Sequence, residues 1–225
     1  MEILTALRDA ICDHQTWLHR GFLHQDVCVD NILIDKNHDK GKPGRLGILI
    51  GLDTAICLAQ MDAPRPRDSR TGTRAYQSAN VLNSYTEPSE CRPHSHLDDL
   101  ESFFYTLCWI CFSYSGVGKK IPGTPRTLLY WDDKNPRLAY AAKKLFFADP
   151  VPVDKYFFLP HTLKLQTSPP SLAEVLLTAD EDYRKVLKMV DDAIKEISGV
   201  VEVPTTLSTT PTKSAPSPVA EEGPS

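Results

Sequence analysis

The sequence lacks a long apolar run and a secretory start. No stretch of roughly 18 or more apolar residues occurs in the 225 residues, so no membrane-spanning helix is predicted. The first ten residues, MEILTALRDA, show no basic region followed by an apolar one, and therefore no signal peptide is predicted. We expect an intracellular protein, in the cytoplasm or the nucleus, with no membrane partner.

The sequence also lacks an excess of basic charge and a disulfide framework. A formal net charge of -4 disfavours a nucleic-acid partner, because phosphate binding needs a basic surface. Six cysteines are too few at this length for a disulfide scaffold, which indicates a reducing compartment. Cys108 and Cys111 have CxxC spacing inside an apolar run, so we interpret them as core residues rather than metal ligands.

Apolar periodicity predicts a mainly helical fold with a small β-hairpin. Four segments have the pattern of helices: residues 1–20, 96–114, 135–147 and 171–197. Residues 32–34 and 46–50 are β-rich and flank a segment with Gly and Pro, which predicts the hairpin.

A change of composition divides the chain in two. Residues 201–225 are rich in Thr, Ser, Pro and Ala and have few large apolar side chains, so they cannot bury enough surface to offset their chain entropy. The sequence therefore predicts a folded domain over residues 1–200 and a disordered tail over residues 201–225.

Four short motifs follow one another in the first half of the chain. They are HQDVCVDN at residues 24–31, GILIGLDTA at 47–55, RTGTRAYQSANVL at 70–82 and LDDLESFFY at 97–105. In this order they resemble the catalytic loop, the metal-binding motif, the end of the activation segment and the start of helix F in eukaryotic protein kinases, most closely those of the fungal type. The resemblance implies a protein-kinase-like C-lobe.

The first motif carries the chemistry that the resemblance implies. It makes Asp26 the catalytic base and Asn31 a ligand of magnesium beside the ATP phosphates, and it gives His24 a structural role. The spacing suits this, because a carboxylate must orient the substrate hydroxyl while an amide oxygen reaches the metal. Small-molecule phosphotransferases also use His-x-Asp with a later Asn, so this motif alone leaves that class open.

The second motif departs from the family at its metal ligand. The fungal-type segment is similar to Ile-Asp-Leu-Asp, and its first Asp falls on Gly51, which has no ligand atom. Asp53 lies two residues further on and is the remaining candidate metal ligand. We expect the main metal ligand to be missing.

The third and fourth motifs imply positions rather than chemistry. The resemblance places Thr71 and Thr73 in the activation segment, with Thr73 near the substrate hydroxyl. Residues 78–80, Ser-Ala-Asn, replace Ala-Pro-Glu, and the absent Glu predicts a weaker anchor and a more mobile segment. In helix F, Asp99 is implied to bind backbone amides of the catalytic loop, which is a structural role.

Other family parts are not seen in the sequence. About twenty residues precede His24, so the sequence predicts no N-lobe, no glycine-rich loop and no strand lysine for the phosphates. Gln25 replaces the arginine of His-Arg-Asp and cannot pair bidentately with a phosphate. The family implies ATP and Mg as cofactors, but we expect this chain neither to bind Mg-ATP tightly nor to transfer phosphate.

Three functions stay open. The first is a fungal-type Ser/Thr protein kinase domain, truncated and inactive as it stands. The second is a pseudokinase lobe that acts as a protein-binding module. The third and weaker one is a small-molecule phosphotransferase of the aminoglycoside type, against which residues 72–76, GTRAY, and 98–102, DDLES, favour a protein kinase. The sequence does not specify the protein substrate or partner.

Overall fold

The computed structural model describes residues 1–35, 44–60, 72–116, 118–148 and 172–199. This part of the chain is mainly helical. Its helices are α1 Glu2–His19, α2 Ala79–Asn83, α3 His96–Ser113, α4 Arg126–Trp131, α5 Pro136–Ala148 and α6 Leu172–Ser198. Its strands are β1 Phe22–Leu23, β2 Ile32–Ile34, β3 Gly47–Leu49, β4 Ile56–Cys57, β5 Tyr114–Gly116 and β6 Lys119–Lys120.

The strands form three antiparallel two-stranded sheets, in which β1 pairs with β4, β2 with β3 and β5 with β6. The four helices predicted from periodicity are confirmed as α1, α3, α5 and α6, and the predicted hairpin is confirmed as β2–β3. The prediction of a single hairpin is wrong, because two further strand pairs are present. Strands of two or three residues are too short for an alternating pattern to be read.

Some predictions lie outside the described residues. The turn between β2 and β3 falls largely on residues 36–43, and the proposed tail on residues 201–225. The division of the chain at residue 200 therefore stays a prediction. Cys108 is buried as predicted, but Cys111 is exposed, so its assignment to the core is wrong.

Helix α1 is central to the first hydrophobic core. Its apolar side chains recur every three or four residues and face α3, α6 and β3. The buried members of this core are Leu7, Ala10, Ile11, Leu18, Leu23, Val27, Leu49, Leu100, Phe103, Ala179, Tyr183 and Val190. Helix α3 also supplies Phe104 and Tyr105 to a second core around Trp131 of α4. Helix α3 therefore contributes side chains to both cores and lies between them.

Strand β3 lies very close to α1. A Cβ atom added at Gly47 would lie 2.0 Å from the carbonyl oxygen of Ala6, so only glycine fits there. Two carboxylates of α1 reach the outer edge of the strand: Asp9 Oδ2 accepts from Gly47 N at 3.1 Å and Asp13 Oδ2 accepts from Leu49 N at 3.0 Å. The amides of Gly47 and Leu49 face away from β2, and these bonds give them the acceptors that a second neighbouring strand would otherwise supply. Strand β3, and the loop that follows it, are thus fixed against α1.

Within the part of the chain that the structure describes, no helix is long and apolar enough to cross a membrane.

Candidate functional site

The loop of residues 24–31, here called the 24–31 loop, connects β1 to β2. His24 is buried within it, and its ring is bonded on both sides: Asp26 N donates to Nδ1 at 3.2 Å, and Nε2 lies 2.8 Å from the carbonyl oxygen of Ile50. Because Nδ1 accepts, the ring proton sits on Nε2 and is donated to Ile50. Burial lowers the pKa of His24, which keeps the ring neutral. His24 thereby fixes the backbone of Asp26 to the end of β3.

Asp99 of α3 holds the same loop from the other side. Its Oδ2 accepts from Gln25 N at 3.1 Å and from His14 Nε2 at 2.8 Å, and its Oδ1 accepts from His94 Nε2 at 2.8 Å. Burial alone would raise the pKa of Asp99, but the neighbouring His94 and His14 outweigh it and hold the pKa well below its usual range. The group is therefore an ionised acceptor for three buried or half-buried donors.

The backbone of Gln25 is in the left-handed region, with φ +68°. L residues rarely adopt this conformation, and it persists only where the surroundings impose it. The bonds to Asp99 on one side and between Asp26 and His24 on the other supply that constraint. The constraint determines the direction in which Asp26 leaves the loop.

Asp26, Asn31 and Thr73 come together in the structure. Asp26 Oδ1 accepts from Thr73 N at 2.8 Å and from Thr73 Oγ1 at 3.1 Å. Asn31 Nδ2 donates to the carbonyl oxygen of Asp26 at 2.8 Å and lies 3.4 Å from its Oδ2. Asp26 is half-buried and Thr73 exposed, so the carboxylate is open to solvent on one side. Thr71 lies outside the described residues.

Gly51 packs directly against Asn31. Its backbone has φ +83°, and a Cβ atom built on it would lie 2.5 Å from Asn31 Oδ1 and 2.6 Å from Asn31 Cγ. A side chain at this position would therefore need both a strained backbone and a displaced Asn31. Asp53 lies in the 3₁₀ turn Leu52–Thr54, where its side chain is exposed.

The resemblance implies a magnesium ion here, and Gly51 supplies no side-chain ligand for it. In the described ranges, no three His, Cys, Asp or Glu side chains converge in a way that could hold a metal. Mg²⁺ prefers carboxylate oxygens in a near-octahedral shell. At this point the chain offers the neutral amide of Asn31, which lies where a Cβ of residue 51 would be.

A buried lysine anchors the segment that follows Thr73. Lys143 of α5 is fully buried and donates from Nζ to the carbonyl oxygens of Ala75 at 2.9 Å and Gln77 at 2.6 Å. The same Nζ lies 3.6 Å from the ring centroid of Tyr105, a cation–π contact. Burial lowers the pKa of Lys143 well below its ordinary value.

Two carboxylates of α3 complete this anchor. Asp98 Oδ1 accepts from Ser78 Oγ at 2.5 Å, and Arg92 forms a bidentate pair with the same carboxylate. Glu101 Oε1 accepts from Ala79 N at 2.9 Å. The absence of the family's Glu predicts a weaker anchor, but these contacts, which the sequence does not indicate, hold the segment instead.

Sequence reasoning missed Lys143, Glu101, His14 and His94. A charged residue inside an otherwise apolar helix face was the available signal for Lys143 and Glu101, since a buried charge needs a partner. His14 gave no such signal, because a lone histidine is common in an amphipathic helix.

Comparison with known proteins supports the resemblance drawn from the motifs. Residues 1–111 match the family described as fungal protein kinase, and this confirms the predicted likeness over those residues. The matched stretch contains α1, the 24–31 loop, Gly51, Thr73 and Asp99. This part of the chain is therefore kinase-like. No curated protein matches the chain.

Proposed function

We propose that this chain is a protein-kinase-like C-lobe that keeps the part of a kinase site that handles the substrate hydroxyl and has lost the part that binds metal. Support for the retained part comes from Asp26, whose Oδ1 already accepts a hydroxyl and an amide from Thr73. A carboxylate placed in this way can accept or orient the proton of a Ser or Thr hydroxyl. The family match favours a protein kinase over a small-molecule phosphotransferase.

The observation that carries the proposal is the contact between Gly51 and Asn31. Phosphoryl transfer depends on positioning and on neutralising phosphate charge, with little covalent work left for the protein. Bound metal and ATP would supply the phosphoryl group and that charge neutralisation. Since Gly51 has no side chain and the amide of Asn31 lies where its Cβ would be, position 51 contributes no anionic ligand. We infer that it neither binds Mg-ATP tightly nor transfers phosphate.

Thermal melts with millimolar Mg-ATP, compared with Mg²⁺ alone and ATP alone, test this proposal. A ligand at a hundred times its dissociation constant stabilises a protein by about 2.7 kcal/mol, which such a melt resolves. We expect no magnesium-dependent shift and no transfer from labelled ATP. Labelling that is lost in Asp26→Asn would contradict the proposal. A magnesium-dependent shift that disappears in Asp53→Ala would show that Asp53 has replaced the lost ligand.

A second candidate function, a protein-binding module, is favoured by one face of the β2–β3 hairpin. Leu33 and Ile48 lie opposite each other in the ladder and are 48% and 46% exposed. Ile50 follows on the same face and is also exposed. A paired apolar surface of this kind, beside the 24–31 loop, suits contact with an apolar protein surface.

The matched variants Ile48→Lys and Leu129→Lys test the second candidate. Leu129 of α4 is 55% exposed and serves as the control for adding a charge to an exposed apolar site. A protein partner recovered with the wild-type chain should be lost with Ile48→Lys and kept with Leu129→Lys. Equal recovery with both variants would exclude this face as the binding surface.

A further inference from the structure

Tyr183 lies on α6, outside the residues that match the kinase family, yet its side chain is fully buried against α1 and α3. Its hydroxyl is hydrogen-bonded to His14 Nδ1. His14 Nε2 is bonded in turn to Asp99 Oδ2 at 2.8 Å, and the same oxygen accepts from Gln25 N at 3.1 Å. One continuous set of hydrogen bonds therefore runs from α6 through α1 and α3 into the 24–31 loop.

The proton positions in this set follow from its two ends. Asp99 is ionised and can only accept, so His14 Nε2 must carry a proton. Burial raises the pKa of Tyr183 well above its ordinary value, so its hydroxyl keeps its proton and needs an acceptor. In the neutral ring that acceptor is His14 Nδ1. With a neutral ring, Tyr183 donates to His14, and His14 donates to Asp99.

We propose that Tyr183 and His14 are positioning residues for the 24–31 loop: they hold Asp99 in the orientation that fixes Gln25, the residue directly before Asp26. The inference goes beyond the proposed function and does not depend on whether the chain transfers phosphate. Helix α6 therefore supports the site indirectly. None of the hydrogen bonds described above joins a side chain of α6 to Asp26.

The strained backbone of Gln25 makes the shape of the 24–31 loop sensitive to the orientation of Asp99. With φ +68°, the loop depends on neighbouring bonds to keep its shape, and the bond from the Gln25 amide to Asp99 is one of them. Without the hydroxyl of Tyr183, His14 Nδ1 is a buried acceptor without a donor, and the ring is free to turn toward another partner. Asp99 then loses one of the contacts that orient it, and the Gln25 amide is protected less.

Amide hydrogen exchange of Tyr183→Phe against Tyr105→Phe tests the proposal. Tyr105 is equally buried, and its hydroxyl donates to Glu101 at 2.7 Å, away from this set of bonds. Relative to other core amides, we expect the Gln25 amide to exchange about tenfold faster in Tyr183→Phe, the size of one lost buried hydrogen bond. We expect no selective change at Gln25 in Tyr105→Phe. An unchanged Gln25 amide in Tyr183→Phe, or the same acceleration in both variants, would overturn the proposal.

A measurement on the wild-type chain removes the risk that a variant fails to fold. Long-range ¹H–¹⁵N correlation spectra of the histidine rings report which nitrogen carries the proton. For the neutral ring of His14 we expect the proton on Nε2 and a hydrogen-bonded, unprotonated Nδ1. A neutral ring with its proton on Nδ1 could not donate to Asp99, and the proposal would fail.

Discussion

Replacing Asp99 by alanine removes one buried carboxylate from three donors, and the cost can be worked out from its surroundings. The amide of Gln25 and Nε2 of His14 belong to buried residues, whereas the His94 side chain is 17% exposed and can reach solvent. A buried donor left without a partner costs about 1–3 kcal/mol. With two such donors and the strained loop, Asp99→Ala should lose about 4 kcal/mol of unfolding free energy.

Asp26→Ala is the matched comparison, because it removes the same group from the same site. Asp26 is half-buried, and its donor Thr73 is exposed, so water can replace the carboxylate. We expect a loss of about 1 kcal/mol or less. With a urea dependence of about 2 kcal/mol per molar, the two variants should differ by about 1.5 M in their unfolding midpoints.

Urea unfolding followed by far-UV circular dichroism measures the unfolding midpoints of the two variants. If Asp99→Ala does not fold, Asp99→Asn keeps the shape and one acceptor and should lie between the wild type and alanine. An Asp26→Ala variant as unstable as Asp99→Ala would refute the reasoning. It would mean that the 24–31 loop is held by its exposed contacts rather than by α3.

Three further predictions concern single positions. Gly51→Asp should destabilise the chain by about 1–3 kcal/mol in urea, because it places a side chain at positive φ and against Asn31, and it should not restore Mg-ATP stabilisation in thermal melts; a gain in stability would contradict the described packing. Gly47→Ala should cost more, on the order of 3 kcal/mol or above, since its Cβ would meet the backbone of α1, and a fully stable variant would show that β3 is not seated there. Burial would lower the pKa of His94, but the charge of Asp99 outweighs it and raises the pKa. The stabilisation from this pair is therefore full below about pH 6.5 and is lost as the pH rises through the raised value. The difference between wild type and His94→Asn should consequently be larger at about pH 5.5 than at about pH 9, and a difference that grows with pH would refute this.

The sequence was sufficient to predict the elements whose patterns are local. Helical spacing predicted α1 and α3, and motif order predicted the likeness to fungal protein kinases that the family match confirms over residues 1–111. Local patterns could not show that His14, Asp99 and Tyr183 meet, because these residues are 85 and 84 positions apart in sequence and only the packing of α1, α3 and α6 brings them together.

Lys143 shows a second limit. Its place on the apolar face of α5 indicates a buried charge, but the sequence does not show that its partners are the carbonyl oxygens of Ala75 and Gln77. The missing Glu of the third motif was visible in the sequence, but the groups that replace it come from α3 and α5. A pattern can show that an expected partner is absent without showing which residues have taken over its contacts.

The carboxylates of Asp9 and Asp13 affect how this chain can bind another protein. The two carboxylates accept hydrogen bonds from the outward-facing amides of β3. A strand from another protein therefore cannot pair with this edge. The flat side of the same hairpin, with Leu33 and Ile48, has no such cover among the described residues. A protein that docks on this hairpin would therefore meet it side chain to side chain, and its specificity would be set by shape rather than by backbone pairing.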